Sequence, residues 1–182
     1  MMKISKPTRA DLLAAKEKTI RDVIAPGLHI LFCGINPGLY SGATGHHFAR
    51  PGNRFWPTLY QAGFTPQLLH PSEQHELLSL GYGITNLVPR TTATADEISA
   101  DELLEGRKRL ERKVKRYQPG VLALLGIGAY RMAFQEPKAA LGLQPKSIGD
   151  TRIWILPNPS GLNAHYQLSD LVEYFLKLRE TV

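Results

Sequence analysis

One cysteine, Cys33, is present, which excludes an internal disulfide and any multi-cysteine zinc site or iron–sulfur cluster held by a single chain. It falls in an apolar run, so core packing rather than thiol catalysis is its expected role. Long hydrophobic runs are also missing. Val121 to Ala129 is the longest, is broken by glycines, and falls far short of the roughly 20 apolar residues a bilayer requires. The start, Met1-Met2-Lys3-Ile4-Ser5-Lys6, lacks the apolar stretch of a secretory signal, so a cytoplasmic protein is expected, nucleoid-associated if bacterial. Acidic residues are the scarcer charge, 16 against 22 Lys and Arg, and the resulting +6 favours polyanionic partners such as nucleic acid. Much of that surplus lies in Arg107-Lys108-Arg109 and Arg112 to Arg116, where a helix with a solvated basic face is the plainer reading. Repeats and low-complexity linkers are absent, and 182 residues suit one compact domain with a real core.

What is present alternates between apolar runs and helical patterns. Residues 1–25 read as a basic leader with a helix near Asp11 to Ile24, capped by Thr8 and ended by Pro26-Gly27. Strands are expected at Leu28 to Cys33, Gly83 to Val88, Val121 to Leu125 and Ile153 to Leu156. Helices are expected from Asn53 to Gly63, Ser72 to Leu80, Ser99 to Tyr117, Ala129 to Phe134 and Ser169 to Glu180. Residues 34–52 read as a long Gly-rich loop, and a loop of that length in a compact domain is usually functional. The alternation predicts a single α/β domain over 26–182, with a mainly parallel central sheet and helices on both faces.

Two apolar strands end in Asn-Pro turns: Gly34-Ile35-Asn36-Pro37-Gly38 after the first, and Pro157-Asn158-Pro159-Ser160-Gly161-Leu162-Asn163 after the last. Asn, Pro and Gly are ordinary turn formers, which explains the composition but not the pairing. A parallel sheet brings both turns to its carboxyl edge, where open α/β sheets hold their ligands. Gly126-Ile127-Gly128 suggests a dinucleotide fingerprint, but the third glycine position is Arg131, and close helix–strand packing explains both glycines. His46 and His47 have no carboxylate or cysteine nearby in sequence, so no metal is expected. Phe48 is read equally well as a loop anchor in the core or as a ring on which a flat base stacks.

Gly34 to Gly38, Gly45-His46-His47-Phe48 and Pro51-Gly52-Asn53-Arg54-Phe55-Trp56 resemble the mismatch-specific uracil/thymine-DNA glycosylases, a branch of the uracil-DNA glycosylase superfamily. Asn158-Pro159-Ser160-Gly161-Leu162 resembles the second motif of bacterial members. Thr85-Asn86-Leu87-Val88, with Arg90-Thr91-Thr92, is closer to the eukaryotic thymine-DNA glycosylases. The resemblance covers roughly residues 24–178 in collinear order. It implies a monomeric enzyme, without cofactor or metal, that flips a mismatched pyrimidine from double-stranded DNA and hydrolyses its glycosidic bond, leaving an abasic site. Uracil opposite guanine is the implied substrate, with thymine, ethenocytosine or oxidised 5-methylcytosines as further possibilities.

Carried over residue by residue, the resemblance makes Asn36 the water-positioning residue, with Thr92 helping to hold that water. Phe48 stacks on the flipped base, the Ile35 backbone bonds its edge, Gly38 leaves room beside it, and Asn86 and His47 meet its carbonyls. Asn158, Ser160, Gly161, Leu162 and Asn163 meet DNA, with Leu162 as an apolar wedge filling the vacated stack. Ala164-His165-Tyr166, after the wedge, lacks an arginine for phosphate or base contact. The rival readings are a nucleotide-binding protein using Gly126 to Gly128 and a damage-binding protein that does not cut.

Overall fold

The computed structural model describes residues 6–182. Five strands form one sheet: β1 (Ile30–Gly34), β2 (Tyr82–Asn86), β3 (Val121–Leu125), β4 (Gly142–Ile148) and β5 (Thr151–Leu156). Their order is β2-β1-β3-β5-β4, parallel throughout except for β4, which pairs antiparallel with β5. From β1 the chain moves first to one side, to β2, and later to the other, to β3. A crevice therefore opens at the carboxyl ends of β1 and β3, the usual ligand position of an open sheet.

The helices are α1 (Arg9–Ala14), α2 (Leu39–Thr44), α3 (Phe55–Gln61), α4 (Glu76–Ser79), α5 (Ala100–Tyr117), α6 (Ile127–Ala133) and α7 (Leu168–Arg179). Successive strand side chains point to opposite faces, and both faces of β1 are apolar. Ile30 and Phe32 pack with Phe55, Leu59, Phe175 and Leu178 of α3 and α7. Leu31 and Cys33 pack on the other face with Leu110, Val114 and Tyr130 of α5 and α6. Strands buried on both sides must be apolar throughout, which is why β1 and β3 read as unbroken runs. Phe32 meets Phe55, Phe64 and Phe175 at ring distances of 5.5, 5.7 and 5.9 Å, so α3 is pinned to the centre of the sheet.

Several expectations are corrected. The helix read over Asp11–Ile24 is only α1, capped by the reciprocal Thr8–Asp11 bonds. Beyond it a turn at residues 15–17 leads into extended chain. Val23 and Ile84 exchange backbone bonds of 2.9 and 2.7 Å, and Thr19 bridges antiparallel to Arg90. The exposed edge of β2 offers unpaired backbone groups, and satisfying them outweighs local helical preference. The stretch 34–52 is not all loop, since α2 lies inside it, closed by Gly45 in the left-handed region. β4 was not foreseen: it is a polar edge strand containing Pro145, with irregular pairing between Leu143 and Ser147. The helix placed from Asn53 begins two residues later, yet Asn53 Oδ1 still accepts the Phe55 N–H at 2.9 Å.

The basic helix α5 opens on a capping box, Ser99 with Glu102. None of its basic residues lines the crevice at the carboxyl ends of the strands. Arg107, Lys108 and Lys113 are paired with Glu111, Glu105 and Asp22. The last turn ends where Tyr117 accepts from Gly27, at the amino end of the strands. Among the described residues, no helix is long and apolar enough to cross a membrane.

Candidate active site

A cleft of about 590 Å³ opens over the carboxyl ends of β1, β2, β3 and β5. The β1–β2 pairing continues beyond both strands and draws their following loops together. Leu87 N–H bonds Gly34 O and Val88 N–H bonds Ile35 O, both at 2.9 Å, and Thr92 N–H bonds Pro37 O at 3.2 Å. Asn36 and Thr92, distant in sequence, become neighbours through this zipper.

Asn36 directs its amide nitrogen at three oxygens: Thr92 Oγ1 at 2.7 Å, Arg90 O at 3.1 Å and Pro37 O at 3.1 Å. An amide nitrogen is donor-only, so these acceptors fix which way the group is turned. Oδ1 takes no protein donor among the described residues, and Asn36 lines the cleft. Thr92 is buried, and its hydroxyl donates to Thr94 O at 2.7 Å while accepting from Asn36. Arg90 locks the same loop. Its guanidinium grips both carboxylate oxygens of Glu102, Glu17 Oε1 and the Glu97 carbonyl. The Arg90 side chain and the Ser99 cap hold the Glu102 carboxyl down to about 2.

A second polar chain runs through the opposite wall. His47 is buried, with Nε2 2.9 Å from the Arg21 carbonyl and Nδ1 3.3 Å from Asn86 Nδ2. A carbonyl can only accept, so Nε2 carries the proton and Nδ1 accepts from Asn86. Burial pushes the imidazole below its ordinary value, which favours this neutral form. Both ring nitrogens are thereby used, and His47 stands behind Asn86. A Cβ on Gly34 would sit 2.7 Å from Asn86 Oδ1 and 3.3 Å from Phe48 Cζ, so only glycine lets both side chains reach over the end of β1.

Phe48 is half-buried at φ +52°, a conformation costing an ordinary residue about 1–3 kcal/mol. Its ring stacks on Phe55 at 4.1 Å and also lines the cleft. The ring therefore has one face on the core and also fronts the cleft. Gly38 is exposed, and a Cβ there would meet nothing within 4 Å. Gly126, at φ +131°, faces Ile35 and Asn158, so the ends of β1, β3 and β5 meet around it.

The loop after β5 forms the remaining wall. Asn158 Oδ1 accepts from Ser160 N–H at 2.9 Å, and Asn163 Nδ2 donates to Asn158 O at 3.0 Å. Leu162 is 66% exposed, beyond the reach of any core. Asn158, Ser160, Leu162 and Asn163 line the cleft, while Gly161 is pressed against Gly52. Of the residues singled out from sequence, Ile35, Asn36, Gly38, His47, Phe48, Asn86 and Thr92 also line it.

Sequence reading missed Arg54, whose guanidinium donates to the carbonyls of Ser160, Asn163 and Tyr166, and Arg50, a cleft-lining cation. The signal for Arg54 was its place between the cap Asn53 and the core aromatic Phe55. Among the described residues, no group of three or more His, Cys, Asp or Glu side chains could hold a metal ion. Cys33 is buried, and desolvation pushes its thiol up to about 12. The family model for the uracil DNA glycosylase superfamily matches residues 21–180.

Proposed function

The chain belongs to the uracil DNA glycosylase superfamily, and we propose that within it the protein acts on uracil flipped from mismatched duplex DNA, chiefly opposite guanine. One observation carries the reading: Asn36 has its amide nitrogen bound on three oxygens and its carbonyl oxygen free at the cleft. A free amide oxygen accepts from a water and turns that water's lone pair towards the sugar C1′. Cleavage of the glycosidic bond leaves an oxocarbenium-like sugar and an anionic base; the water then adds to C1′ and its proton goes to the departed anionic base, which leaves neutral. An amide cannot take up the water's proton as a carboxylate does, so Asn36 orients rather than deprotonates. Turnover is accordingly slow and suited to a leaving group that departs almost unaided.

In this reading Phe48 stacks on the flipped pyrimidine and the Ile35 backbone bonds its edge. Gly38 keeps the space beside the ring open. Asn86 meets a pyrimidine carbonyl, oriented from behind by His47, while Thr92 holds Asn36 in place. Leu162 enters the duplex where the nucleotide has left, and the exposed backbone beside it faces the opposing guanine. Asn158, Ser160, Gly161 and Asn163 shape that loop. The protein acts as a monomer and without cofactor.

The test is single-turnover base release from duplexes carrying G·U, A·U or G·T, with wild type and Asn36→Ala side by side and no added metal. Release from G·U that the variant loses by about 100-fold or more supports the reading. Mismatch binding with no release from any duplex would make the protein a damage reader instead.

A further inference from the structure

We propose that Arg54 is a positioning residue that holds residues 159–166 in the shape presenting Leu162, and so sets the preference for uracil in a mismatched duplex over uracil in a single strand. This rests on the glycosylase reading above. Leu162 has little packing of its own, being 66% exposed, so its position comes mainly from the loop backbone. That backbone is held from the start of α3. The Arg54 guanidinium bonds the carbonyls of Ser160, Asn163 (2.9 Å) and Tyr166, and its backbone N–H bonds Pro159 O at 3.0 Å. Four attachments from one residue thus span the whole wedge loop.

Close contact reinforces them, since a Cβ on Gly161 would sit 2.5 Å from Gly52 O. The guanidinium is committed to the loop. None of the eight ion pairs among the described residues includes Arg54, and its Nε is buried without a partner. A planar fork of five donors can bind three carbonyls at once, which a lysine ammonium on its flexible stem cannot do in the same geometry. A base already unstacked in a single strand needs no wedge, whereas a duplex base does. Loosening the loop therefore affects duplex substrate selectively.

The experiment compares wild type, Arg54→Met and Arg54→Lys, each checked for folding by circular dichroism. Hydrogen exchange of the amides in 159–166 is measured first, then single-turnover release of uracil from a G·U duplex and from the matching single strand. Faster loop exchange, with G·U release slowed about 10- to 100-fold and single-strand release nearly unchanged, is expected, with Arg54→Lys between the other two. Unchanged loop exchange overturns the inference whether or not any base is released. Equal slowing on both substrates also overturns it, because Arg54 would then act on the chemistry rather than the wedge. Wild type that releases no uracil defeats the glycosylase reading separately, and the loop exchange still decides whether Arg54 organises this segment. If Arg54→Met does not fold, Arg54→Lys carries the same comparison.

Discussion

Asn36 Nδ2 lies 2.7 Å from Thr92 Oγ1, and the Thr92 hydroxyl already donates its own hydrogen bond to the Thr94 carbonyl. The hydroxyl is therefore an obligatory acceptor towards Asn36, which leaves the amide oxygen on the cleft side. Thr92→Val removes the acceptor while keeping the shape. Base release should fall about 10- to 100-fold with little change in KM, and Thr92→Ser should restore most of it. Equal rates for Thr92→Val and wild type would mean that Arg90 O and Pro37 O alone orient the amide.

Leu162 offers a cleaner separation of binding from stability. Since it is exposed, Leu162→Ala should leave thermal stability within about 0.5 kcal/mol of wild type. Release from G·U should slow, and release from a single strand should not. A fall in melting temperature would show that the residue packs within the free protein.

Stacking predicts a different loss at Phe48. Phe48→Ala should weaken binding of uracil-containing DNA by about 1–3 kcal/mol, read as a raised dissociation constant under single-turnover conditions. The same change removes the contact with Phe55 at 4.1 Å and relieves the strained backbone only in part, so stability should fall as well. Phe48→Tyr should keep both functions. Unaltered DNA binding by a folded Phe48→Ala would assign the ring to the core alone.

A pH effect follows from His47. Its folded value is depressed below 6.5 by burial, opposed by the Arg21 carbonyl and Asp22, with Lys113 and His46 adding to the depression. As pH falls below 6.5 the unfolded chain takes up this proton before the folded one does. The stabilisation is complete above that pH and is lost as pH drops towards the folded value. Melting temperature should therefore decline from pH 7 to pH 5, and His47→Gln should flatten that decline. His46 is shifted downward too, chiefly by burial and then by His70 and His75, so His46→Gln serves as the control for its share. A slope unchanged in His47→Gln would place the titration elsewhere.

Removing the leader tests how it is attached. Residues 17–23 line the edge of β2 and the loop that follows it, Val23 is buried, and Arg21 supplies the carbonyl that orients His47. Deletion through residue 24 should lower melting temperature and impair base release together. Deletion through residue 7, which spares the Thr8 cap, should lower neither. If the longer deletion changes only salt-dependent DNA affinity, the leader is a tether and its pairing with β2 is dispensable.

The fold was legible where burial dictates composition. β1 and β3 are apolar because both faces are covered, β5 keeps an apolar run from Ile153 to Leu156, and α5 was placed by its basic segment. β4 escaped notice because an edge strand needs one buried face at most, and its Pro145 argued against a strand. The extended strap at 18–23 depends on a partner more than 60 positions away, which local propensity does not register. The candidate site was legible at Asn36 and Asn158, where turns follow unmistakable strands. Arg54 was not, because its partners are main-chain carbonyls 106 to 112 positions along the chain. Asn86 and His47 were each visible, but not their hydrogen bond, which fixes the tautomer and gives His47 its place behind Asn86.

Arg54 grips carbonyl groups, which every residue possesses, so the clasp is indifferent to the identity of the side chains it carries. Leu162, Ala164 and His165 can be exchanged for larger, smaller or charged groups without releasing the loop. Scaffold and surface are decoupled there: on the reading proposed above, a preference for one lesion or opposing base is retuned by changing solvent-facing positions one at a time. The same freedom does not extend to Gly161, whose missing side chain is what allows the loop to lie against Gly52.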